Sequence, residues 1–117
     1  MISTIHVREL DTVKRVCEEN NLELGCTYMV KIMEAGEEKG YCIFDMIEKT
    51  AKVRFLNFSD DETMDNTDLV MKAVMTRAEY ANCEYLTFDE SLKDVLDKLI
   101  KTHGYEEKTN IYAYLNN

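Results

Sequence analysis

Between residues 51 and 88 the hydrophobic pattern changes period twice, and this narrows the fold more than any other feature. AKVRFLNF (51–58) is β-branched and aromatic and reads as a strand. Leu69, Val70, Ala73, Val74, Arg77, Ala78 and Ala81 then mark a helix over 68–82. CEYLTF (83–88) is strand-like again. A strand–helix–strand unit calls for a parallel pair joined by a right-handed crossover.

The flanking segments supply the rest of the sheet. Leu10, Val13, Val16 and Cys17 have helical spacing, and Gly25 stops that segment. CTYMVKIME (26–34) and YCIFDMIE (41–48) read as strands, separated by a turn, AGEEKG (35–40). Lys49 and Thr50 connect the second of these to the strand at 51–58, which completes an antiparallel meander. Leu92, Val95, Leu96, Leu99 and Ile100 define a last amphipathic helix, which Gly104 ends. TNIYAYL (109–115) alternates and predicts a final, exposed strand, open to pairing with a second copy of the chain. The order predicts an α+β fold: a mixed, mostly antiparallel sheet with one parallel pair and helices on both faces. One domain over residues 1–117 accounts for the length.

Charge and cysteine usage exclude several functions. The 117 residues carry 23 acids against 14 Lys and Arg, a net charge of −9. That surplus argues against nucleic acid or anionic lipid as partner, since both need clustered cations. No apolar run reaches membrane-spanning length, and MISTIHVREL lacks the apolar centre of a signal peptide, so a cytoplasmic protein is expected. Cys17, Cys26, Cys42 and Cys83 form no C-x-x-C pair and read as buried, reduced thiols. His6 and His103 are too isolated for a metal site or a triad, and His103 suits the dipole at a helix C-terminus. The acidic loop at 59–68 lacks the Gly and spaced Glu of a calcium site. No metal is expected.

Gly40-Tyr41-Cys42-Ile43-Phe44 opening a strand, the strand KVRFLNF before a loop and long helix, and SLKDVLDKLIKTHGY closing in Gly104-Tyr105 together resemble the GNAT (N-acetyltransferase) superfamily in a short form. The resemblance covers roughly residues 9 to 115 and implies acyl transfer from acetyl-CoA or another acyl-CoA to an amine. It implies that the strands at 51–58 and 83–88 splay apart. The pantetheine arm would lie in that gap against the backbone of Leu56 to Phe58. The pyrophosphate would sit on amides at the following helix start, near Asn66, Thr67, Asp68 and Leu69. The phenol that the family places four residues before Gly-Phe falls on Ile100, which leaves Tyr105 and Tyr112 as nearby phenols. Asp45 and Glu48 are candidate bases.

The loop at 59–68 departs from the family's glycine-rich, basic pattern. It holds Asp60, Asp61, Glu62, Asp65 and Asp68, with no Gly between Gly40 and Gly104 and no cation between Arg54 and Lys72. A pair of like charges ~5 Å apart costs about 3 kcal/mol at an effective dielectric of 20. Carboxylates also compete for the helix-terminal amides. Two functions therefore stand side by side. One is an acyl-CoA-dependent N-acyltransferase acting on a small amine or basic peptide. The other is a non-catalytic module of the same fold that binds a ligand or protein partner, in a form open to homodimers. The conformation of 59–68 discriminates them: open amides beside Phe58 keep the site, and carboxylates capping them close it.

Overall fold

The computed structural model describes residues 1–117. Six strands lie in one sheet in sequential order: β1 (Ile2–Val7), β2 (Thr27–Glu34), β3 (Glu37–Ile47), β4 (Thr50–Asn57), β5 (Tyr85–Phe88) and β6 (Thr109–Asn110). Every neighbouring pair is antiparallel except β4 and β5, which run parallel from Thr50 opposite Tyr85 to Val53 opposite Phe88. Helix α1 (Leu10–Glu19) buries Val13, Val16 and Cys17 against Met29 and Ile43 on one face. On the other face Val30, Ile32, Cys42, Phe44, Ala51 and Val53 form the main core. Helices α2 (Asp65–Tyr80), α3 (Lys93–His103) and α4 (Ile111–Leu115) all contribute residues to it. The predicted mixed sheet with helices on both faces is the observed one. No helix is long and apolar enough to cross a membrane.

Four local expectations are corrected. Residues 2–7 form an edge strand that the hydrophobic pattern does not announce, because only Ile2 is buried and its ladder with β2 comes from the backbone. The turn expected at 35–40 shrinks to Ala35 and Gly36, both at positive φ (53° and 81°). That pair matches the twist of a two-residue hairpin, so Glu37–Lys39 stay in β3 despite their charge. Gly40 is therefore inside the strand. A Cβ there would lie 1.9 Å from the carbonyl oxygen of Asn57, so only Gly lets β4 approach.

The third correction concerns 109–115, where only Thr109 and Asn110 pair as β6. The Asn110 side chain accepts from the Ala113 N–H at 2.9 Å and starts α4. Ile111, Tyr114 and Leu115 then share a helical face packed on the core. The exposed strand expected for pairing with a second copy is absent. The fourth concerns the helix start. Met64, in the left-handed region at φ 59°, precedes α2, and none of Asp65, Asn66 or Thr67 caps it. Among the cysteines, Cys17, Cys42 and Cys83 are buried free thiols as expected, whereas Cys26 is exposed just ahead of β2.

Candidate functional site

The parallel pair parts at a defined point. The Asp89 N–H donates to the Val53 carbonyl at 2.8 Å, the last link between the strands, and from Arg54 to Asn57 β4 continues paired with β3 only. At the same point β4 carries a bulge. Ile43 faces Phe55 and Phe44 faces Val53, so Arg54 is an extra residue on β4. A bulge bends its strand and leaves the extra residue outside the ladder. The bend and the splay coincide, which opens β4 beyond Val53 on its β5 side. The Arg54 side chain turns away to Asp45 (3.4 Å) and the Glu23 carbonyl, so it anchors the bulge rather than lining the gap.

The loop that follows β4 leads into the start of α2. One oxygen of Asp60 (Oδ2) accepts from the N–H groups of both Asn66 (2.7 Å) and Thr67 (2.9 Å). The Asp68 N–H donates to the Met64 carbonyl at 2.8 Å. Asp61 accepts from the Thr63 hydroxyl and amide, which hold its carboxyl below the usual range. Asp89, on the other wall of the splay, is held low in the same way by the Ser91 hydroxyl and amide. The loop carboxylates are thus organised rather than diffuse, and one is an anion seated on helix-terminal donors. The Asp60 carboxylate shows that these two amides converge on an anionic oxygen. It also occupies them.

The other sequence candidates fall into two groups. Tyr105 and Asp68 meet in the interior: the Tyr105 hydroxyl, on a side chain only 2% exposed, donates to Asp68 Oδ1 at 2.8 Å. The Tyr114 hydroxyl donates to the same oxygen at 2.5 Å, and Lys72 Nζ lies 3.1 Å from Oδ2. Burial pushes the Asp68 carboxyl up, but the hydroxyls of Tyr114 and Tyr105 and the Lys72 charge together hold it below its usual range. Burial and the neighbouring carboxylate raise both phenols. This cluster ties α2 to α4 and to the turn after α3. Asp45 accepts from the Thr27 hydroxyl at 2.8 Å and pairs with Arg54, so both of its oxygens are engaged. Glu48 sits in the exposed β3–β4 turn at φ 56°, and Tyr112 is exposed on α4. Neither reaches the splay. No group of His, Cys, Asp and Glu is arranged to hold a metal ion.

Sequence reading missed the Arg54 bulge and the Asp60 cap. Neither has a sequence signal beyond an Asp preceding a helix, because both arise from how β3 and α2 pack.

No family model matches the sequence, and no curated protein matches it. The fold itself has relatives of known structure. A protein assigned as a GNAT-family acetyltransferase from Desulfovibrio desulfuricans aligns with a TM-score of 0.57 at 9% identity, over 88% of this chain and 84% of its own. An IAA acetyltransferase from Bacillus cereus aligns at 0.57 and 11% identity, over 86% and 75%. Tetrahymena GCN5 aligns at 0.55 and 16% identity, over 79% and 61%. At these identities the superpositions show a shared fold and nothing finer.

Proposed function

We propose that this chain, whose fold is that of the GNAT N-acetyltransferases, is an acyl-CoA-dependent N-acyltransferase acting on a small amine or a basic peptide. The observation that carries the reading is the coincidence of the β4 bulge with the parting of β4 and β5. Beyond Val53 the side of β4 that faced β5 has no strand partner and borders a gap, while Phe55 to Asn57 stay paired with β3 on the other side. An extended pantetheine arm would add there as a strand does, against Leu56 and Phe58. An acyl-CoA supplies an activated acyl thioester at such a site. The chain's part is to hold the arm, to offer the Arg54 amide toward the acyl carbonyl, and to admit the amine. The acidic surface favours a cationic acceptor in its approach.

The amides of Asn66 and Thr67 would hold the diphosphate, which requires that Asp60 swing out. Asp68 and Leu69 contribute through the helix dipole, since the Asp68 amide is already bonded to Met64. We assign no chemistry to Tyr105, whose hydroxyl is committed to Asp68, nor to Asp45.

Thiol release from acetyl-CoA in the presence of diamines or a Lys-rich peptide tests the proposal. CoA binding by calorimetry is the second arm. Release above the protein-free rate supports it. No release and no binding up to about 1 mM CoA, in both the natural chain and Asp60→Ala, would overturn it. A second reading, a GNAT-fold module without turnover, is favoured by one observation: Asp60 already fills the anion position at α2. CoA binding without thiol release would select it.

A further inference from the structure

A cleft lies away from the splay. It is half open to solvent and has a volume of about 660 Å³ where the end of β1, the start of β2, the start of α1 and the end of α2 come together. Arg77 is twelve residues beyond Asp65, so this cavity is roughly 18 Å along α2 from the Asp60 cap. Its lining divides by chemistry. His6, Arg8 and Arg77 supply cationic or titratable groups, while Leu10, Val13 and Tyr28 are among those supplying apolar wall.

The charge here runs against the rest of the chain. In a protein with nine surplus acids, neither Arg8 nor Arg77 has a carboxylate within 4.0 Å. The carboxylate bonded to the cavity's Thr27 is Asp45, and it is held by Arg54. Arg77 is not adrift: its guanidinium lies 5.3 Å from the Tyr28 ring centroid, which fixes it over the cavity floor. Partial burial, then the positive charges of Arg77 and Arg8, keep the His6 imidazole below its ordinary pKa. Both arginines thus act on His6 and neither is ion-paired, with two acids on that side, Glu9 and Glu38, lining an adjoining cleft.

We propose that this cavity is a binding site for a small carboxylate with an aromatic or aliphatic body, its carboxylate received by Arg8 and Arg77 and its body lying on Tyr28, Leu10 and Val13. A guanidinium fork matches a carboxylate in two parallel hydrogen bonds. A volume of this size accommodates a ring with a short side chain. The site stands independently of acyl transfer, because it uses none of the residues at the splay.

Benzoate, benzamide and inorganic phosphate are suitable probes, titrated into the full chain to about 10 mM while the His6 ring protons are followed by NMR. The expected result is saturable displacement of the His6 signals by benzoate, with a rise in the His6 pKa. Benzamide and phosphate should bind at least tenfold more weakly. Arg8→Gln and Arg77→Lys should each weaken benzoate at least fivefold. Arg8→Gln changes an exposed residue, so it keeps the test open if Arg77 variants lose stability. Equal binding of benzamide, phosphate binding as tight as benzoate, no saturation, or affinity unchanged in Arg8→Gln would each overturn the proposal.

Discussion

The Tyr105 hydroxyl donates to the Asp68 carboxylate at 2.8 Å, joining the residue after the α3 cap to the first turn of α2. Each is a candidate for chemistry when read from sequence. Together they make a buried polar clamp, with Tyr114 and Lys72 completing it. The clamp fixes the α2 start relative to α4, and with it the amides of Asn66 and Thr67.

Replacing Asp68 by Asn should cost about 2 kcal/mol at neutral pH, since two hydroxyls and an ammonium lose a charged acceptor. The folded-state carboxyl is held below its ordinary value. Its contribution is therefore complete above the ordinary carboxylate range, near pH 4, and fades as pH falls through the lower folded value. Urea melts at pH 7 and pH 3 check this. The gap between natural chain and variant should narrow in acid, and a constant gap contradicts the assignment.

Gly40→Ala should destabilise by about 3 kcal/mol, because the new Cβ meets the Asn57 carbonyl at 1.9 Å and backbone must move. The same shift displaces the end of β4 where the proposed pantetheine contacts lie. Thermal unfolding measures the first effect and CoA titration the second. Gly25→Ala, with open space around its Cβ position, is the control.

Asp60→Ala removes the carboxylate that holds the Asn66 and Thr67 amides. CoA should bind at least tenfold more tightly to the variant, by calorimetry, while the fold loses about 1 kcal/mol of capping. Unchanged or weaker CoA binding would show that the α2 amides take no part.

Thiol labelling should separate the cysteines. Cys26 is exposed and should react at once, whereas Cys42 is fully buried with its thiol pushed up to about 12. Cys17 and Cys83 are also raised by burial. One fast equivalent is expected, abolished by Cys26→Ser. Two fast equivalents would indicate that α1 or the end of α2 opens.

The sequence alone determined the elements with strong periodicity. The stripes at 69–81 and 92–100 each place several apolar side chains on one face, so α2 and α3 were legible, and with α2 the parallel β4–β5 pair that it connects. The net −7 of residues 59–117, against −2 for 1–58, also located the acidity on the half that carries the splay. Short or edge elements were illegible. β1 is held by backbone pairing with β2, and α4 is five residues long and depends on the core beneath Ile111, Tyr114 and Leu115. Tertiary structure alone decided the site. Which donor Asp60 meets, where Asp68 points and where Arg54 bulges follow from distances between segments far apart in sequence. Local pattern fixes a residue's face, and only packing fixes its partner.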